Sequence, residues 1–559
     1  MNSRYTLLIL LILTAAIAAG FRLPCLGRRP MHADESVQAA IFRRLWLKGE
    51  YAYNPHEFHG PTLPYTTLPS AWLSGAKSFA ETTEATYRIV PACFGIGAVL
   101  LIWCLTDALG RPAAVCASLL AALSPAMVYY SRYYIHETLL VFFTLCAILS
   151  AWRYLRSRKL AWCLAAGASI GLMQATKETA PLSFVAALVA LGPTWLCAVY
   201  TNPTHKRAQP PPPSNPTRKR GQQSCHQDVP PKNEPVKEMA DPPSSLALRV
   251  GMGHLALAAA AALLVAAILY SSFFTNPRGL VDAVLTYEPW LKRAGGQSPH
   301  GNPWYFFLQR LAWWRLQDGP VYSELLVLLL AAIGFLAALL PKGRWLRDAN
   351  VHFLRWLGFY TIFLTAGYSI IPYKTPWCAL QFLLGIILLA GVGAVVIVRA
   401  IPTVPLKTII ALVLIAAAGQ LSWQSYRAGF VQPADPENPW VFGHTSQGLL
   451  DLAAIVEQFA KAHPDGHALP VKFIWHDYYY WPLPWYLRRF EHVEPWTSMP
   501  PDPSAAIVIA SPKFDKQLTA ALEQTHLMTG YYELRPQVLA QIWVREDVWM
   551  AHLRALGRI

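Results

Sequence analysis

The sequence predicts a polytopic all-α membrane protein with a small α/β domain at its C-terminal end, and three observations lead there. Of its 559 residues, 54% are hydrophobic and 14% charged, against about 25% charged in soluble domains. The apolar residues gather into runs of about 17 to 25, the length that crosses a bilayer as a helix. After Leu421 these runs stop, and shorter strand-like and helical stretches replace them. An ordinary soluble enzyme is excluded.

The first run, Tyr5 to Phe21, follows Arg4 and ends in small residues at Ala16 to Gly20, so it reads as a first span, with a cleaved signal as the alternative. Further runs lie near 89–106, 113–130, 138–152, 160–176, 180–199, 248–273, 321–340, 353–371, 377–398 and 407–422, eleven in all. An odd number places the two termini on opposite sides. Arg153, Arg156, Arg158 and Lys159 sit in one short loop, and Lys342, Arg344 and Arg347 in another. The positive-inside rule puts both loops in the cytoplasm. The N-terminus is then cytoplasmic, and the C-terminal domain lies outside the cell (inner) membrane, in the periplasm. Residues 200–247 fall on the cytoplasmic side and hold eleven prolines with Lys206, Arg207, Arg218, Lys219 and Arg220, which predicts a disordered linker. The first outer loop, 22–87, runs against the charge rule with Arg22, Arg28, Arg29, Arg43, Arg44 and Lys48. Long loops obey that rule poorly. The bundle therefore spans 1–422 and the external domain 423–559, with strands expected at Val471 to Trp475, Ala506 to Ala510 and Gln541 to Val544 and a helix at Leu449 to Ala462.

Formal charge is +15, yet no zinc-finger spacing or basic-aromatic RNA motif is present, so nucleic acid is not an expected partner. The excess reads as cytoplasmic loops and contact with anionic lipid. Nine cysteines are scattered in or beside apolar spans, with no C-x-x-C pair and none after Cys378. Neither a disulfide framework nor a closed zinc site is indicated. No fixed-period repeat is evident.

Ionisable residues at span ends are costly and call for a functional reading. Under strict alternation His32-Ala33-Asp34-Glu35, His56 to Pro61, Arg132 with His136-Glu137, Lys177-Glu178, His300 to Trp304 and Tyr373 to Trp377 all reach the outer side, as does the C-terminal domain. Scattered in sequence, they can meet at one membrane face and build one site. Taken singly each has a plainer reading. Asp34-Glu35 reads equally as a solvated pair, Lys177-Glu178 as a local ion pair, and Arg132 among Tyr129, Tyr130, Tyr133 and Tyr134 as a snorkelling cation in an aromatic belt. His32, His56, His59 and His136 with nearby carboxylates are compatible with a divalent metal but match no closed pattern. Taken together the parts suit one chemistry. A carboxylate can act as general base toward an acceptor hydroxyl, while Arg132, Lys177 and Lys374 at headgroup level face a departing lipid phosphate. The aromatic stretch Tyr478 to Tyr486 serves to stack on a sugar, to rest at the lipid interface or to pack the domain onto the bundle.

The strings HADES, HGPTLPY, SPAMVYYSRYYIHE, ATKE, YKTPWC, NPWVFGHTS and WPLPWYLR resemble the GT-C glycosyltransferases, in particular the dolichyl-phosphate-mannose-protein mannosyltransferase-like enzymes (glycosyltransferase family 39-like). Within that group they are similar to a prokaryotic subgroup named for association with flippase activity. The resemblance implies a hexosyltransferase that takes a sugar from a polyprenyl-phosphate lipid at the outer leaflet and passes it, with inversion, to a protein, lipid or glycan acceptor. It implies catalytic roles for Asp34, as base or acceptor-orienting acid, and its neighbour Glu35. Donor-phosphate contacts fall to Arg132, Lys177 and Lys374, and a substrate pocket to His59, His136, Glu137, Glu178 and Tyr373. Glu137 stands where relatives carry a second acid, sometimes a metal ligand, so Asp34 and Glu137 are the candidates for an Mg or Mn ion. His136-Glu137 replaces an arginine-aspartate style pair, which weakens the metal expectation. A flippase, or a protein associated with one, is the alternative function for the same outer-face residues.

Overall fold

Each of the eleven apolar runs contains a helix in the computed structural model, which describes residues 3–56, 59–201, 251–295, 301–340 and 344–559. Among the described residues seven helices are long and apolar enough to cross a membrane: Tyr5–Arg22, Glu84–Leu109, Glu137–Ser157, Ala180–Tyr200, Met252–Tyr270, Pro376–Ala400 and Val404–Val431. Arg111–Leu123 and Pro125–Ser131 form an eighth, bent by 58°. Leu160–Gln174 and Leu325–Leu339 are shorter apolar helices, and Val351–Ile370 is interrupted by His352 and Arg355. The chain is a multi-pass membrane protein. Of the expected 200–247 linker, the first two positions complete the helix Leu191–Thr201; the rest lies outside the described residues, as do Lys342 of the second basic loop and His300.

The bend has a local cause. Proline at position 125 cannot donate to the preceding turn, so the ladder breaks at Ser124. Glu324 fills the gap: Ser124 Oγ donates to its Oε2 at 2.8 Å and the Ala126 N–H to its Oε1 at 3.1 Å. A buried carboxylate thus pairs the backbone group that the break exposes, as a membrane interior requires.

The centre of the bundle is the span Pro376–Ala400, 83% of whose window is buried. Small residues let its neighbours approach. A Cβ on Gly393 would collide with the Leu330 carbonyl and one on Gly334 with the Leu389 carbonyl, so Leu325–Leu339 lies backbone to backbone against the central helix. Close backbone approach of this kind is the main source of packing energy where lipid removes the hydrophobic drive between helices.

At one end of the bundle the connections thicken into structure. Helix α1 (Ser3–Arg22) is followed by α2 (Ala33–Lys48) and α3 (Thr62–Leu73) before the chain re-enters the bundle at α4 (Glu84–Leu101). After Val404–Tyr426 the chain turns at Arg427–Val431 and enters the C-terminal domain. There β1 (Val471–Ile474), β2 (Val493–Trp496), β3 (Ile507–Ala510), β4 (His526–Arg535) and β5 (Val538–Arg545) form one sheet in the order β2-β1-β3-β5-β4. The β1-β2 and β1-β3 pairs are parallel, and β3-β5 and β4-β5 antiparallel. The expected helix appears as Gln447–Ala462. The three expected strands are β1, β3 and β5; β2 and β4 were not expected, since β2 contains Pro495 and β4 mixes charged and aromatic residues without clean alternation. The domain is lashed to the bundle by side chains of the aromatic stretch and of the loop before it. Trp485 Nε1 donates to Glu84 Oε1 at 3.0 Å, Arg488 to the Thr82 carbonyl at 2.8 Å, and the Met31 N–H to the Tyr486 hydroxyl at 2.8 Å. Tyr130 donates to the Trp440 carbonyl at 2.8 Å and Thr445 to that of Met31 at 2.6 Å.

The central packing yields a prediction. Gly393→Val forces side-chain volume into the seam with Leu325–Leu339 and lowers stability by roughly 1–3 kcal/mol, the usual range for overpacking. Thermal unfolding in detergent checks it, with an unchanged midpoint as the contrary result.

Candidate active site

The site begins with the two neighbouring acids of α2, which the helix separates. Successive helical residues project about 100° apart, so Asp34 and Glu35 meet different surroundings. Glu35 is fully buried. Its Oε1 accepts from Arg29 at 2.9 Å, Arg88 Nε at 2.8 Å and the Tyr134 N–H at 2.9 Å; its Oε2 accepts from Arg88 Nη2 at 2.7 Å and the His32 N–H at 3.0 Å. Burial would raise its pKa, but the charges of Arg29 and Arg88 and these hydrogen bonds hold it at about 2. The expectation that Glu35 shares in catalysis is corrected: it is the internal anchor of α2, with no face toward a substrate. Asp34, the other half of the pair, has 52% of its side chain exposed and lines a cavity of about 1210 Å³. His32 caps the helix beneath it, its Nδ1 accepting from the Asp34 N–H at 3.1 Å and its Nε2 donating to the Phe442 carbonyl at 2.9 Å. The N-terminal turn of a helix favours a carboxylate there.

The other walls come from the motif strings. Gly60 must be glycine, because a Cβ would collide with the Ala175 carbonyl. That contact zips two strings together: the Gly60 N–H donates to the Thr176 carbonyl at 2.9 Å, the Thr62 N–H to that of Ala175 at 3.2 Å, and Thr62 Oγ1 to Thr176 Oγ1 at 2.9 Å. His136 Nε2 then donates to the Gly60 carbonyl at 3.0 Å. On this frame His59 adopts a left-handed backbone, φ +73°, which is uncommon outside glycine and concentrates at functional sites. Its Nδ1 lies 3.0 Å from Glu178 Oε2 and its ring 5.0 Å from that of His136. Burial would raise the Glu178 pKa, but His59 and then Lys177 hold it at about 2. Burial, with His59 and Lys177 adding, pushes His136 well below its ordinary value, so its ring is neutral. Lys177 Nζ forms a buried ion pair with Glu137 Oε1.

The cavity lining thus brings together Asp34, His59, His136, Glu137, Lys177, Glu178 and Tyr373. Two expected phosphate cations stand outside it. Arg132 is buried and donates to the carbonyls of Phe21, Arg22, Pro24 and Cys25, with its guanidinium 4.2 Å from the Phe430 ring centroid. It ties the end of α1 to the bundle and is corrected to a structural cation. Lys374 donates to the carbonyls of Asn302 at 3.0 Å and Ile371 at 2.5 Å, holding the Tyr373 loop against residues 301–302. Its ammonium is directed at backbone, away from the cavity. The cavity gains instead residues that sequence reasoning did not assign to it: Arg43, Arg44 and Lys48 on α2, and Tyr478, Tyr480 and Trp481 from the C-terminal domain. The loop cations that ran against the charge rule therefore have places of their own, Arg22 and Arg29 inside the fold and Arg43, Arg44 and Lys48 on the cavity wall.

The metal expectation for Asp34 and Glu137 was tested against the same geometry. The Glu137 carboxylate is engaged by Lys177, and among the described residues no group of three His, Cys, Asp or Glu side chains is placed to hold a metal ion. These residues do not fit a resident Mg or Mn ion.

With the geometry in place, likeness to known proteins can be stated. Residues 65–202 match the family described as dolichyl-phosphate-mannose-protein mannosyltransferase. The fold is similar over nearly the whole chain to ArnT from Cupriavidus metallidurans. Bound to undecaprenyl phosphate, that protein superposes with a TM-score of 0.59 at 16% identity, covering 97% of this chain and 98% of its own. Its apo state gives 0.55 at 14% identity, with 95% and 97% covered. The oligosaccharyltransferase of Archaeoglobus fulgidus tethered to an acceptor peptide with the NVT sequon gives 0.51 at 14% identity, covering 95% of this chain and 74% of that one. No curated protein matches the sequence. The fold is that of the GT-C glycosyltransferases. The family match covers residues 65–202, whereas the likeness in fold extends over nearly the whole chain.

The Glu35 anchor titrates in a defined direction. A carboxyl lowered from 4.5 to about 2 by folding contributes stability that is whole above about 4.5 and is lost as pH falls through about 2. Glu35→Gln leaves Arg29 and Arg88 buried without their counter-charge, at a cost of about 3–5 kcal/mol. Melting points across pH 2–6 are expected to fall on acidification in the wild type and to lie lower and flatter in the variant; parallel curves would contradict the assignment.

Proposed function

We propose that the chain transfers a sugar from a polyprenyl-phosphate carrier to a hydroxyl on a protein, lipid or glycan acceptor, with inversion, at the outer face of the membrane. The observation that carries this reading is that the exposed carboxylate of Asp34, at the N-terminal turn of α2, shares a cavity at the bundle end with Lys177 and the His59-Glu178 pair. The end on which the cavity lies supports an outer-face site. Glu137 opens the span Glu137–Ser157 at the cavity, while Arg153, Arg156 and Arg158 stand at its other end, about 30 Å away at 1.5 Å per residue. Basic residues there favour the cytoplasm.

In this reading Asp34 takes the acceptor hydroxyl's proton as the oxygen attacks the anomeric carbon. The bond from that carbon to the phosphate oxygen breaks on the opposite face, and its electron pair leaves with the polyprenyl phosphate. Lys177 meets the phosphate charge, and Glu137 keeps that ammonium charged and placed between turnovers. His59, oriented by Glu178, contributes its ring edge beside the phosphate. Tyr478 and Trp481 offer aromatic faces for sugar in the roof of the cavity.

Release of polyprenyl phosphate from a panel of polyprenyl-phosphate sugars, by purified protein in liposomes supplied with acceptors, tests this. Asp34→Asn is expected to reduce release about 10²–10⁴-fold, the usual worth of a general base, while donor binding and melting temperature stay unchanged. Full activity in the variant would overturn the role of Asp34. Movement of the lipid-linked sugar between leaflets without release, in wild type and variant alike, would favour a flippase instead.

A further inference from the structure

Beyond the span Met252–Tyr270 the chain forms two short helices, Arg278–Leu285 and Tyr287–Ala294. Their inward positions, Gly279, Asp282 and Thr286, are buried, and Gly279 packs so tightly that a Cβ there would collide with the Tyr270 carbonyl. The stripe facing outward is apolar where a water-facing helix would be polar: Leu280, Val281 and Val284 are 41%, 58% and 69% exposed. Just before it, Ser272, Phe273 and Phe274 take φ of +52°, +57° and +68°, three consecutive left-handed residues without a glycine, a conformation that costs energy at each. The turn is held by the Phe273 N–H to the Ile268 carbonyl at 2.7 Å and by Ser272 Oγ to that of Tyr51 at 2.5 Å. Its result is to leave both phenylalanines 58% and 64% exposed.

An apolar stripe of this extent marks an interaction surface, and its position selects the occupant. Phe273, the first of these exposed apolar residues, lies three residues beyond a span whose window is only 6% buried and whose Leu263 and Leu264 are 72% and 56% exposed, so the stripe continues a surface already in lipid. Arg278 and Lys292, with side chains 84% and 63% exposed, suit anionic headgroups at the same level. Behind the stripe a side cavity of about 380 Å³ is lined by Tyr53, Arg278, Asp282 and Lys292, and shares Asn54 and His56 with the main cavity.

We propose that residues 273–291 lie in the headgroup-acyl boundary of the bilayer as an interfacial element, and that a lipid-linked donor passes its phosphate over this sill, through the side cavity, into the main one. The second half rests on the transferase reading; the first does not.

Two measurements on the full chain in phosphatidylethanolamine-phosphatidylglycerol liposomes test it. A spin label at Val284→Cys, read above the signal of identically treated wild type, is expected to collide with oxygen, which partitions into lipid, in preference to an aqueous nickel chelate. Preference for the chelate would overturn the lipid seat, and shielding from both would assign the stripe to a protein partner. In the transfer assay Val281→Asp with Val284→Asp is expected to raise KM for a long-chain polyprenyl-phosphate sugar about tenfold with kcat nearly unchanged, and to leave KM for a water-soluble short-chain donor alone. Equal effects on both donors, or none, would overturn the sill. If no donor turns over at all, the transferase reading fails, while the spin label still decides the seat.

Discussion

The carboxylate of Glu35 is the point on which the cavity end of the molecule depends. It accepts five hydrogen bonds, and their donors come from different parts of the chain: the loop after α1, the cap of α2, the head of α4 and the tyrosine-rich turn before Glu137. Arg88 extends the network, donating also to the carbonyls of Leu26, Arg29 and Pro30. A buried ion pair is weak evidence for stability, because desolvation opposes it. Its use here is register. With Glu35 locked inward, the helix period leaves Asp34 facing the cavity, and the same lock sets the turn that carries His136 and Glu137. The site is therefore built on a charge that takes no part in it.

A second constraint comes from the close contact at Gly60. It brings the His59 string onto the turn that bears Lys177 and Glu178, and His136 closes the third side through the Gly60 carbonyl. Three loops that are far apart in the chain become one wall because backbone hydrogen bonds join two of them and the His136 side chain ties in the third. The C-terminal domain is then seated by Trp485, Tyr486 and Arg488 on the same end, which sets its remaining aromatic residues over the cavity. In the stretch from Tyr478 to Tyr486, Trp485 and Tyr486 dock the domain onto the bundle, and Tyr478, Tyr480 and Trp481 line the cavity.

Much of this was legible in the sequence. The eleven helical runs follow from hydropathy alone, and counting spans groups at one end the residues Asp34, His59, His136, Glu137, Lys177, Glu178 and Tyr373 that line the cavity. The three strands β1, β3 and β5 carry short, mainly apolar runs, whereas β2 and β4 are edge strands whose exposed faces leave no such signature. Within the site, the sequence could not say which member of an acidic pair turns inward, since that depends on arginines at positions 29 and 88 reaching it. Arg88, charged at the head of an apolar run, was the available signal. Arg132 and Lys374 were misplaced for a related reason. A cation at a span end can face a lipid phosphate or cap carbonyls of its own chain, and only the fold shows that both do the latter. The basic residues of α2 looked anomalous until a cavity wall gave them a place.

The most direct test of the account is a structure of the protein with a phosphonate analogue of a polyprenyl-phosphate sugar that cannot be cleaved. The phosphonate is expected against Lys177 and His59, with the anomeric carbon open to Asp34 and the sugar beneath Tyr478 and Trp481. A phosphonate seated against Arg132 or Lys374, or a sugar beyond the reach of Asp34, would contradict it.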